Sequence, residues 1–172
     1  MLIECHLNQN ARDRGAARYP ALNHELLDLL RGSNAGLVQI PCPEMHCLGL
    51  SRERPAEVSL REAMETPESR AKCRDLAREM ADRIEDYRRN AVEVVAVLGG
   101  DVESPGCAVH DGPKGLAPRS GTFMQELAAE LNSRGLDVPF RGIRESRREA
   151  FEADLRWLAG RLHDLDQHTS QS

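Results

Sequence analysis

Aromatic side chains are scarce: three Phe, two Tyr and one Trp make up 3% of the 172 residues. A surface that holds nucleic acid by base stacking needs several such rings, and a net charge of −5 has the wrong sign for tracking phosphates. No extended nucleic-acid surface is expected. Also missing is any apolar run near the roughly 20 residues that cross a bilayer. The first residues lack the basic and apolar regions of a secretion signal. The expected setting is the cytoplasm, with a small molecule as partner and no membrane. Paired Cys-x-x-Cys knuckles, the usual mark of a closed structural zinc site, are absent too.

The composition present is 40% apolar and 30% charged, which suits one soluble globule with one core. A single domain over residues 1–165 with a flexible tail at 166–172 is expected. Short apolar runs alternate with amphipathic segments. "MLIEC", "GLVQIPC" and the nearly continuous "AVEVVAVLGG" read as strands, the last covered on both faces. "LDVPFRGI" is a fourth strand that Pro139 assigns to a sheet edge. Helix patterns lie between them: Asn23 to Arg31, a long segment from about Pro67 to Arg89, and Thr122 to Arg134. A last helix, "SRREAFEADLRWLAGRL", opens on a Ser146/Glu149 capping box and places Phe151, Leu155, Leu158 and Leu162 on one face. The order β-α-β-α-β-α-β-α predicts an α/β fold. It would be a mostly parallel sheet of about four strands with helices on both faces, a Rossmann-like three-layer sandwich.

Five cysteines, an odd number, point away from a structural disulfide framework and toward metal binding, catalysis or packing. Cys5 ends the first strand, Cys42 the second, and Cys107 sits in the loop after the third. All three lie past carboxyl ends, which share one edge of a parallel sheet where ligands bind. Thiols 37 and 65 positions apart can therefore meet. Cys73 falls on one helical stripe with Leu76, Ala77, Met80, Ile84 and Tyr87 and reads as core. Cys47, near Cys42, could ligate, serve as an extra thiol or pack, and is left outside the ligand set. The loop Gly99 to Gly121 holds six glycines and three prolines. Loops this long in compact domains are functional or disordered, and its glycines allow close backbone approach to a ligand.

Three converging thiolates leave a coordination position free. An iron-sulfur cluster on three cysteines keeps one iron without a protein thiolate, a Lewis acid for a soft donor. An open zinc site and a thiol redox centre fit the same spacing. "CPE" at Cys42 to Glu44, "SPGC" at Ser104 to Cys107 and an N-terminal cysteine beside "ARYP" resemble, in order and spacing, the 2-thiouracil desulfurase family. The resemblance runs from Met1 to about Arg144. It implies a [4Fe-4S] cluster held by Cys5, Cys42 and Cys107 with one open iron, and Glu44 and Ser104 as catalytic residues. The chain departs from the family's "SPSCG" at Gly106 and Ala108, and "CHLNQN" replaces a leucine-rich start.

The implied activity is removal of sulfur from a small thiocarbonyl compound such as a thiolated nucleobase, with release of hydrosulfide. Sulfur bound to iron makes the thiocarbonyl carbon electrophilic, water attacks it, and Glu44 shuttles the proton, help worth about 10²–10⁴-fold. Ser104 would bond the substrate or the water, or simply stabilise the turn before Pro105. His46 and His110 lie in the expected site loops without an assigned role. Arg18 and Tyr19 either line the pocket or form a turn, and "SRERP", Ser51 to Pro55, reads as a solvated charge run. Two other classes use the same thiols: a non-catalytic iron-sulfur or metal-binding, redox-sensing module, and a mononuclear zinc hydrolase.

Overall fold

A computed structural model describes residues 1–113 and 115–169. The chain runs through β1 (Leu2–Ile3), α1 (His24–Arg31), β2 (Gln39–Ile40), α2 (Pro43–Leu48), α3 (Leu60–Glu65) and α4 (Pro67–Arg89). It continues through β3 (Val97–Gly99), β4 (Asp111–Gly112), β5 (Gly115–Leu116), α5 (Thr122–Ser133), β6 (Phe140–Gly142) and α6 (Arg148–Thr169). Single 3₁₀ turns at Glu4–His6 and Gln9–Ala11 follow β1.

The main sheet is four-stranded and parallel, in the order β2-β1-β3-β6. Side chains alternate across it as the period of two requires. Leu2, Ala96 and Leu98 enter one apolar cluster with Leu26 and Leu30 of α1 and Phe151, Leu158 and Leu162 of α6. Ile3, Ile40 and Val97 enter the other, with Met80 and Ile84 of α4 and Phe123 and Leu127 of α5. Helices thus cover both faces, and the expected α/β sandwich is the one found. Pro139 precedes the edge strand β6, where its missing N–H costs no ladder bond, and its carbonyl accepts from Val97 N at 2.9 Å.

Several local expectations need correction. "AVEVVAVLGG" joins the ladder only from Val97, because Ala91 turns the chain out of α4 at φ 56°. Val92 is left half exposed. The Ser146/Glu149 capping box does not open α6, which begins at Arg148. Ser146 N and Oγ both donate to the Asp101 carboxylate at 2.7 Å, since a charged acceptor outcompetes a local cap. A complete capping box instead opens α3, where Ser59 and Glu62 bond each other's backbone N–H. The loop after β3 carries the small antiparallel β4/β5 hairpin. The expected tail, 166–172, lies outside the described residues apart from the helical backbone through Thr169. Among the described residues no helix is long and apolar enough to cross a membrane.

The packing predicts where stability resides. Leu127 on α5 is fully buried in the cluster facing α4, so Leu127→Ala is expected to cost about 2–5 kcal/mol in urea unfolding. Leu50→Ala, at a side chain 59% exposed, is expected to stay within about 0.5 kcal/mol of the parent.

Candidate functional site

The strand order reverses between β1 and β3. β1 leads through α1 to β2 on one side, and β2 leads through α4 back across to β3 on the other. The crevice outside the carboxyl ends of such a pair is where open α/β sheets bind ligands. Cys5 sits in the 3₁₀ turn directly after β1, Cys42 caps α2 just after β2, and Cys107 lies in the loop after β3. All three are free, buried thiols lining one cavity of about 220 Å³ together with Glu44, Ser104, Arg12 and Arg52. Residues far apart in the sequence therefore share one small chamber at the sheet edge.

Burial pushes Cys5 up to about 12 against the pull of Arg12, and pushes Cys107 well above the usual thiol range, with Cys5 and Cys42 adding to it. Cys42 is raised by burial too, offset in part by the backbone N–H of Met45 at the start of α2. The bare site therefore holds protonated thiols, and a metal or cluster that binds there must displace protons.

Close approach explains the glycines of the loop. A Cβ on Gly100 would stand 2.6 Å from Cys107 Sγ, so any side chain there would push the sulfur from the cavity. A Cβ on Gly106 would stand 2.9 Å from Glu44 Cγ. The bare backbone at 106 lets its N–H donate to Glu44 Oε1 at 3.1 Å.

Ser104 and Glu44 meet directly: Ser104 Oγ donates to Glu44 Oε1 at 2.6 Å and lies 3.0 Å from Cys107 Sγ. Ser104 Oγ also accepts from Cys107 N at 3.2 Å, so the hydroxyl fixes the turn and faces the site at once. "SRERP" is not a solvated charge run throughout. Arg52 is 1% exposed, donates from Nη2 to Cys42 Sγ at 3.3 Å and to Ala11 O at 2.6 Å, and from Nη1 to Leu50 O at 2.9 Å. Carbonyls bent inward by the turn after α2 satisfy it, and its Nε stands 3.6 Å from Glu44 Oε2.

A second group of residues carried no motif. Glu145, after β6, is fully buried and accepts from His6 Nδ1 at 2.9 Å, Asn23 Nδ2 at 2.8 Å and Gln9 Nε2 at 3.4 Å. It also pairs with Arg12 Nη2, the atom that reaches Cys5 Sγ at 3.7 Å. His6 Nε2 bonds Gly99 O at 2.9 Å, which ties the network to the end of β3. Burial opposes the Glu145 charge, but His6, Arg12 and Asn23 outweigh it and hold the carboxyl below its usual range. The stretch "CHLNQN" supplies two of its partners, His6 and Gln9.

Cys47 does not line the cavity and faces Cys73 instead. His46 is exposed, and His110 lies in a neighbouring cleft with Nε2 on Val102 O at 3.1 Å. Arg18 lines the cavity, whereas Tyr19 Oη donates to Glu25 at 3.3 Å. Among the described residues no three His, Cys, Asp or Glu side chains are gathered closely enough to share a single metal ion.

No family model matches the chain, and no solved structure matches it. An uncharacterized protein of Methanocaldococcus jannaschii is 29% identical over 91 residues, 53% of this chain and 56% of the relative. The match thus spans about half the length of each protein.

The Glu145 network has a defined pH signature. Its folded pKa is depressed, so its contribution is fully present above the unfolded value of about 4.3 and is lost as pH falls through the lower folded value. Glu145→Gln is expected to lose roughly 1–3 kcal/mol near neutral pH. Urea titrations should show that deficit constant down to about pH 5 and shrinking below about pH 4.3.

Proposed function

We propose that this protein is an iron-sulfur-dependent desulfurase that replaces the sulfur of a small thiocarbonyl compound, such as a thiolated nucleobase, with oxygen. The observation that carries the reading is the gathering of Cys5, Cys42 and Cys107 with Glu44 and Ser104 around one cavity of about 220 Å³. The donor set fits a [4Fe-4S] cluster. Three buried thiols come from three separate strand ends, and Arg12 and Arg52 each reach a cysteine sulfur. The Arg12 Nε–H is buried without a hydrogen-bond partner, a donor suited to an anionic centre. Ligands to a cluster also stand farther apart than ligands to one ion, because the inorganic core lies between them.

Cys5, Cys42 and Cys107 would hold the cluster, which when bound supplies a Lewis-acidic iron for the thiocarbonyl sulfur. This chain's own groups account for the rest. The oxygen of water forms the new bond to the thiocarbonyl carbon, the carbon–sulfur bond breaks, and sulfur leaves as hydrosulfide. One proton of the water passes to Glu44, whose Oε1 is oriented by Ser104 Oγ and Gly106 N, and the other leaves on the sulfur. Arg52 Nε, at 3.6 Å from Oε2, holds the other carboxylate oxygen in place from the opposite side. Leu60 and Pro105 line the cavity and limit water around the carbon.

Anaerobically reconstituted protein should contain iron and acid-labile sulfide and release sulfide from 2-thiouracil or a related thioamide. Glu44→Gln is expected to keep the cluster and lose roughly 10²–10⁴-fold in turnover. An intact cluster without turnover on any thiocarbonyl would favour a binding or redox module, and zinc without acid-labile sulfide would overturn the cofactor.

A further inference from the structure

Away from the cavity, two buried thiols face each other across the α2/α4 interface. Cys47 Sγ and Cys73 Sγ stand 3.7 Å apart, in contact and unbonded. Cys73 is completely buried, while Cys47 keeps 8% of its surface exposed, so a small reagent entering from solvent meets Cys47 first. Lys72 Nζ reaches over to Cys47 O at 3.2 Å, which brings a cation beside that sulfur. The Cys73 S–H bond and the Lys72 charge outweigh burial and hold Cys47 below the usual thiol range, while Cys73 is raised as the donor. One sulfur is thus disposed to attack and its neighbour to resolve.

We propose that Cys47 and Cys73 form a redox-active dithiol that a peroxide closes to a disulfide joining α2 to α4. Cys47 thiolate attacks one peroxide oxygen, the O–O bond breaks, and one water (or alcohol) leaves with a proton, giving a sulfenic acid on Cys47. The Cys73 sulfur then attacks the Cys47 sulfur, the S–O bond breaks, and a second water leaves. Two thiols lose two hydrogens and one peroxide is reduced. The bond pins the short helix that carries Cys42 and Glu44 to the 23-residue α4. It requires neither iron nor substrate, so it stands whether or not the desulfurase reading does.

Peptide mapping tests this on the full-length chain, reduced, freed of reductant, treated with hydrogen peroxide, and alkylated under denaturing conditions. Cleavage after glutamate leaves each cysteine in its own peptide: 5–25, 26–44, 45–53, 69–79 and 104–126. The expected product is 45–53 joined to 69–79, two hydrogens lighter than their sum and separated by dithiothreitol. The oxidised chain is expected to melt several degrees higher, reversibly. In Cys73→Ala, Cys47 is expected to stop at a sulfenic acid that dimedone traps. Fully alkylated 45–53 and 69–79 after excess peroxide would overturn the proposal. So would a cross-link from 45–53 to 26–44, or sulfinic acid on Cys47 with Cys73 still free.

Discussion

One buried carboxylate clasps the rim on which the cysteines stand. Glu145 enters from the end of β6 and accepts hydrogen bonds from His6, Gln9 and Asn23, with Arg12 completing its shell. Burying such a charge unpaired costs several kcal/mol, so the four donors must stay assembled. Three of them lie between β1 and Arg12, and Asn23 also caps α1 by accepting from Leu26 N at 3.0 Å. Because the other nitrogen of His6 bonds Gly99 O, the exits of β1, β3 and β6 are held to one another by side chains. Those strands contribute only two or three residues each, too little ladder to fix the rim alone. Cys5 sits in the turn this clasp fixes, with Arg12 bridging the carboxylate and the sulfur.

The charge around the cavity is not uniform. Cys5 and Cys42 each have a guanidinium at the sulfur, while Cys107 has the neutral Ser104 hydroxyl, backed by the Glu44 carboxylate. One side of the chamber therefore favours negative charge, and the other offers a proton acceptor. The thiocarbonyl substrate we propose, whose sulfur would gain charge while its carbon takes up water, would need both at once. The polarity comes from groups that the three short motifs do not contain, apart from Glu44 and Ser104.

The sandwich was legible because apolar periodicity reports burial directly. The strand-end cysteines were legible because a parallel sheet forces its carboxyl ends to one edge. A helix from about Pro67 to Arg89 was readable, and α4 spans those residues, with Thr66 capping its start in the structure. The arginines were not legible. Arg52 sits in "SRERP", where neighbouring charges are exposed, and only the turn after α2 reveals the carbonyls that satisfy it. Glu145 escaped for a related reason: its partners lie up to 139 positions away, and no local period encodes such a pairing. The misplaced capping box teaches the same lesson in reverse. Ser146 had the right local grammar, but Asp101 from another loop took its donors.

Helix α2 is where the two chemistries adjoin. A six-residue helix is far below the length that is stable alone in water, so its orientation is borrowed from what it touches. At its start Cys42 N donates to Glu4 Oε2 at 3.0 Å, and at its end Arg52 gathers the carbonyls of Gly49 and Leu50. Along its side Cys47 lies against Cys73 and Ser69 of α4. Glu44 and Cys47 are three positions apart, neighbours on the helix surface, and the Glu44 charge is felt at the Cys47 sulfur. Any change in how Cys47 meets α4 must therefore reach Glu44 through less than one turn of backbone. Ser104, Gly106 and Arg52 aim the carboxylate itself, while the helix that carries it is held in place by its contacts with α4.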